Sequence, residues 1–145
     1  MPAVTIADPT KLPRIPRSDG ATPARGVAAI HDAPRMLEGE GFEVRRAFAE
    51  MDLRLADPFL MLDHMGAVEY APGEAKGAPD HPHRGFETVT YMLDGVLEHR
   101  DSNGDGGLIT DGATQWMTAG AGIVHSEMPT KEFQERGGRI HSFQI

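Results

Sequence analysis

Between Gly41 and Phe48 polar and apolar positions alternate, with Phe42, Val44, Arg46 and Phe48 on one side and Glu43, Arg45 and Ala47 on the other. A period of two predicts a strand, and it sets Arg46 among apolar neighbours, where it needs a partner or a route to water. The run Phe59-Leu60-Met61-Leu62, opened by the turn pair Asp57-Pro58, predicts a buried strand that Asp63-His64-Met65-Gly66 ends. Phe86 to Leu93 is rich in Thr, Val and Tyr and predicts another strand. Asp94-Gly95 suits a tight hairpin turn, with Val96 to Arg100 as the return strand. Asn103-Gly104-Asp105-Gly106-Gly107 marks a further turn. Short strands follow at Leu108-Ile109-Thr110 and Thr114-Gln115-Trp116-Met117, either side of Asp111-Gly112, and Arg139 to Ile145 predicts the last strand. Ala28 to Leu37 fits one strand and a turn, interrupted by Pro34. A sustained apolar period near 3.6 is missing, so the pattern predicts an all-β sandwich or barrel with almost no helix.

Composition sharpens this picture. Seventeen Gly and 11 Pro in 145 residues suit turns far better than long helices. Pro2, Pro9, Pro13, Pro16 and Pro23 fall within residues 1–26, which read as a partly ordered arm, and 27–145 read as one barrel. Cys is absent, which removes disulfides, thiolate nucleophiles and sulfur-rich zinc sites. The net charge of -8 argues against broad contact with nucleic-acid phosphates. No apolar run reaches the ~18 residues of a membrane helix, and the N-terminus lacks the form of a signal peptide. These readings predict a cytoplasmic protein that binds neither membrane nor nucleic acid directly.

The candidate chemistry lies in two short runs, His81-Pro82-His83-Arg84-Gly85-Phe86-Glu87 and Gly122-Ile123-Val124-His125-Ser126-Glu127. Each carries two metal-ligand types at i and i+2, which share a face in an extended strand. Facing inward in a closed barrel, His81, His83, His125 and Glu127 would deliver three imidazoles and a carboxylate to one point. That donor set suits Fe(II), and Zn, Mn, Ni, Cu and Co are compatible with it. Asp80, Glu87 and Gln115 are candidates to orient the rings. Glu87 could instead complete a His-x-His-x3-Glu set, but Glu127 is the preferred carboxylate. His64 reads as a turn or cap residue, with substrate contact as the alternative. His99, next to Glu98 and Arg100, is expected on the outer face, and His31 and His141 belong to no constellation. The methionines read as core filler and not as a copper site. Ser126 and His125, as strand neighbours, point opposite ways and make no dyad.

These residues resemble the pirin family, a branch of the cupin superfamily. The resemblance rests on Asp57-Pro58-Phe59-Leu60-Met61-Leu62-Asp63, His81 through Tyr91, Leu97-Glu98-His99-Arg100-Asp101-Ser102, and Gln115 through Gly120 leading into Ile123-Val124-His125-Ser126-Glu127. It spans roughly residues 40–145 and implies a double-stranded β-helix, the cupin jelly-roll barrel, with one metal, usually iron. The family's four ligands fall on His81, His83, His125 and Glu127, which leaves Glu87 outside the set. Family members typically carry two barrels, and this chain resembles the metal-bearing first one and is expected to lack the second.

Three functions follow as expectations from that resemblance. The first is an iron-dependent dioxygenase that opens flavonols such as quercetin, with an aromatic small molecule at the metal and Glu127 as the catalytic base. The second is an iron-dependent regulatory protein that acts through a protein partner. The third is a storage-like barrel with an incidental metal. An open-edged last strand, with apolar surface around Phe143 and Ile145, further predicts a homodimer.

Overall fold

A computed structural model describes residues 20–21, 26–48 and 51–145. The chain divides into two compact units, Met1–Ile30 and His31–Ile145. The first contains no helix or strand among its described residues, and the expected 1–26 arm lies largely outside them.

The second unit is nearly all β. Its strands are β1 (Arg35–Glu38), β2 (Phe42–Arg46), β3 (Asp63–Tyr70), β4 (Ala78–His83) and β5 (Glu87–Asp94). They continue with β6 (Leu97–Asp101), β7 (Gly106–Ile109), β8 (Thr114–Thr118), β9 (Ile123–Pro129) and β10 (Gly138–Gln144). A 3₁₀ turn covers Leu53–Leu55, and one short helix, α1, covers Lys131–Arg136. Thr130 caps α1 by accepting from the Phe133 N–H, and Phe133 anchors it in the core. The strands form a six-stranded sheet, β1-β2-β3-β10-β5-β8, and a four-stranded sheet, β4-β9-β6-β7. Every pairing is antiparallel. This is the all-β barrel that the strand pattern predicts and the double-stranded β-helix that the family resemblance implies.

Period two decides what each strand buries. Along β5, Thr88, Thr90 and Met92 point inward. Along β9, Ile123, His125, Glu127 and Pro129 do so, while Val124, Ser126 and Met128 face away. Met92, Leu97, Ile109, Phe133 and Ile140 fill one apolar cluster, and Met117, Ala119 and Ile123 a second. Between the sheets a cavity of about 30 Å³, lined by Phe42, Met65, Val68, Leu97 and Ile140, ends on Glu127. Arg46, inward on β2, finds its partners in the buried Asp63 at 2.6 Å and Glu38 at 2.7 Å.

Three expectations about local structure are corrected. Asp94-Gly95 is not a hairpin turn between paired strands. It carries the chain from β5 in one sheet to β6 in the other, and β6 pairs with β7 and β9 instead. Gly95 sits at φ 108°, and a Cβ there would stand 2.6 Å from the Arg139 carbonyl oxygen, so the crossing requires glycine. The Phe59–Leu62 run is not a buried strand. Phe59 and Leu60 are exposed, and β3 begins at Asp63, where that strand was expected to end. The Arg46 ion pair explains the shift, because it anchors Asp63 at the start of the ladder. The last strand is not an open edge either. β10 lies between β3 and β5, and Ile145 exchanges both backbone hydrogen bonds with Val89. Phe143 is half-buried and stacks on the His64 ring. β10 therefore offers no free edge on which a homodimer could pair.

Candidate metal centre

The site grows out of the β4–β9–β6 register. His81 on β4 stands directly opposite His125 on β9, and His83 opposite Ile123. On the other flank of β9, Glu127 stands opposite His99 and His125 opposite Asp101. Alternation along β4 turns His81 and His83 the same way, and Pro82 between them fixes the backbone. The ring centroids of His81 and His125 are 4.4 Å apart, those of His81 and His83 4.8 Å, and those of His83 and His125 4.9 Å. One ring nitrogen from each of the three lies within 4.8 Å of the others, the spacing of donors that could hold one ion.

Two observations test whether a cation fits. The His81 Nδ1 is held at 2.7 Å from the Pro79 carbonyl oxygen, which makes it the protonated nitrogen and leaves Nε2 as a lone pair. The His125 Nε2 is buried and has no hydrogen-bond partner. A polar atom left that way in a protein interior is costly, and a metal ion would satisfy it. The residues fit the group.

Electrostatics keep His83 and His125 in their ligating form. Burial first, then the neighbouring His81, His83 and His99, hold the His125 imidazole down to about 3. Burial, then His81, holds His83 below the usual histidine range. Both rings are therefore neutral near pH 7. Glu127 is buried, and burial pushes its carboxyl up, against the opposing hydrogen bond from Thr90 and the histidines nearby. The Thr90 hydroxyl donates to Glu127 Oε1 at 2.5 Å and lies 2.8 Å from the Gln144 side-chain amide.

Glu127 does not join the His81–His83–His125 cluster directly. It groups with His125 and His99, so two triads share His125. His99 is thus the main correction at the site. It was expected outside, but it is 5 % exposed and faces the interior with Leu97. Alternation accounts for this: Glu98 and Arg100 pair with each other on the outer face, which puts Leu97, His99 and Asp101 on the inner one. The His99 Nδ1 lies 3.3 Å from the His125 Nδ1, and its Nε2 lies 3.5 Å from Asp101 Oδ2. Of the expected orienting residues, Gln115 does approach, with its amide 3.4 Å from the His99 Nε2. Asp80 is exposed. Glu87 is exposed too and accepts from Trp116 Nε1 at 2.6 Å and from the Thr118 hydroxyl at 3.3 Å. His64 and His141 pair with each other at 2.8 Å, so His141 does belong to a cluster.

Known proteins resemble this chain in sequence and in fold. The family model described as Pirin matches residues 41–145. A pirin-like protein of Arabidopsis thaliana is 49% identical over 116 residues, which cover 80% of this chain and 36% of that protein. Pirin of Rattus norvegicus is 48% identical over 101 residues, covering 69% of this chain and 33% of that one. The crystal structure of a quercetin 2,3-dioxygenase from Acinetobacter baumannii matches with a TM-score of 0.71 at 40% identity, covering 81% of this chain and 42% of that one. The chain spans less than half the length of these relatives. Among its described residues no helix is long and apolar enough to cross a membrane.

Proposed function

The chain belongs to the pirin family, and from that premise we propose that it is a metal-dependent cupin whose ion, iron(II) foremost, is held by His81, His83, His125 and Glu127. The observation that carries this reading is the buried, partnerless His125 Nε2 set among two further imidazoles. In the proposal Glu127 Oε2 turns toward the three rings to complete the set, while Oε1 keeps the Thr90 hydrogen bond. The share of each relative that is matched supports a further reading, that 27–145 correspond to one of two barrels.

The reaction proposed is oxidative opening of a flavonol-type ring, as the name of the Acinetobacter baumannii relative suggests. A bound iron(II) would supply Lewis acidity toward a chelating hydroxyl and reactivity with dioxygen. The chain's own part is binding, orientation and proton transfer. His81 and His83, both half-buried, face the approach, while His125 and Glu127 form the buried wall. Glu127 accepts the hydroxyl proton of the substrate. The Thr90 hydroxyl holds the carboxyl in place. Turnover of quercetin by iron-loaded protein, with metal-free protein as the control, tests this reading. Equal rates would refute it.

One observation favours a second reading. The cavity behind Glu127 is about 30 Å³, room for a water molecule and not for a flavonol. A bulky substrate must therefore stay at the open side of His81 and His83. If quercetin is not turned over while iron binds, the site serves a regulatory, protein-interaction role, in which the ion shapes the surface that a partner reads.

A further inference from the structure

A line of three side chains runs away from the proposed ion position: His125, then His99, then Asp101. The His125 Nδ1 lies 3.3 Å from the His99 Nδ1, and the His99 Nε2 lies 3.5 Å from Asp101 Oδ2. All three side chains are buried. Asp101 is fixed from behind, because its Oδ1 accepts from the backbone N–H groups of Asn103 at 2.8 Å and Asp105 at 3.1 Å. The same turn is tied to β9 beside His125, where the Ser102 N–H donates to the Val124 carbonyl at 2.8 Å.

Each neutral imidazole has one proton, so the contacts are not independent. A carboxylate can only accept. It therefore draws the His99 proton to Nε2, which leaves the His99 Nδ1 as an acceptor. The His125 proton must then sit on Nδ1, and its Nε2 carries the lone pair that a cation needs. The opposite setting is self-consistent as well. With the proton of His99 on Nδ1, His125 would carry its own on Nε2, and that atom could hold no metal. Gln115 stands beside this choice. Its amide is 3.4 Å from the His99 Nε2, and its Oε1 has no partner. Turned end for end, the amide brings that oxygen against the His99 N–H.

We propose that Asp101 and His99 are positioning residues that fix the tautomer of His125 and so make its Nε2 available to the metal. The inference rests on the reading of His125 as a ligand. It turns the Asp101–Asp105 turn, which looks like plain hairpin chemistry, into a determinant of metal affinity.

Asp101→Asn is the sharpest test. The Asn oxygen must keep accepting from the Asn103 and Asp105 N–H groups, so its NH₂ is left facing the His99 Nε2. A donor there inverts both rings without adding or removing an atom of bulk. The full chain, labelled with ¹⁵N-histidine and free of metal, reports the tautomers by NMR. Zinc(II) affinity is measured by competition with a chromophoric chelator. The parent should show His125 protonated at Nδ1, and Asp101→Asn at Nε2, with zinc affinity lower by about 10–100-fold. His99→Leu should lose affinity to the same extent, whereas His99→Asn, whose oxygen can accept from the His125 Nδ1–H, should restore most of it. A parent His125 protonated at Nε2 would overturn the proposal, as would zinc affinity unchanged in both Asp101→Asn and His99→Leu. If the parent binds no zinc, the metal reading fails instead, and the tautomers of the metal-free proteins still decide the relay.

Discussion

His81 and His125 are direct partners across the β4–β9 ladder, with ring centroids 4.4 Å apart. Neither strand brings enough donors alone. The pairing register assembles them, so whatever holds the register also holds the site.

The Arg46–Asp63 pair is one such support. Its guanidinium meets both carboxylate oxygens, at 2.8 and 2.6 Å, where β2 joins β3, and this contact holds Arg46 well above the usual arginine range. Arg46→Leu should destabilise the fold by on the order of 3 kcal/mol, because Asp63 is left buried and unpaired. The double change Arg46→Leu, Asp63→Leu should recover part of that loss. Urea unfolding of the three variants checks both statements.

At Gly95, alanine meets both a positive φ and the Arg139 carbonyl oxygen. Gly95→Ala should cost about 1–3 kcal/mol. Gly104→Ala, also at positive φ but with open space around it, should cost less. Equal melting temperatures for the two variants would contradict the account of the sheet crossing.

These cases show what was legible in the sequence. The i,i+2 ligand runs and the strand periods report side-chain direction, so His81, His83, His125 and the all-β architecture could be read directly. Which sheet a strand joins is a long-range choice that turn residues do not encode, and Asp94-Gly95 therefore looked like a hairpin. Phe59 and Leu60 are apolar yet exposed, because apolar character alone does not decide burial. The inward place of His99 follows from period two, since Leu97, His99 and Asp101 share one side of β6 and the charged Glu98 and Arg100 share the other.

Stability of the metal-free protein should depend on pH. His125 has a folded value of about 3, below its ordinary 6.5. Its contribution is therefore complete above about 6.5 and is lost as pH falls toward 3, by up to about 1.4 kcal/mol per pH unit. Glu127 is shifted upward, so its contribution is complete below 4.5 and is lost as pH rises through the folded value. The two shifts oppose each other as pH falls from 6.5 to 5, so the His125 part is read as a difference: the urea midpoint of the parent should drop relative to that of His125→Asn, which does not titrate.

The same burial makes Glu127 a liability without the ion. Glu127→Gln can still accept from Thr90 and has no charge to desolvate, so the metal-free variant should be more stable than the parent at pH 7. Its metal affinity should drop by more than about tenfold. Thermal melts of metal-free protein and zinc titration separate the two effects, and a variant that is both less stable and equally tight would contradict this role.

Anaerobic titration of metal-free protein with iron(II), by equilibrium dialysis and metal analysis, tests the proposed centre most directly. The account predicts about one iron per chain in the parent and near-complete loss in His83→Ala and in His125→Ala, each of which removes an imidazole from the cluster. A parent that retains no iron, or a His125→Ala protein that retains it fully, would contradict the assignment.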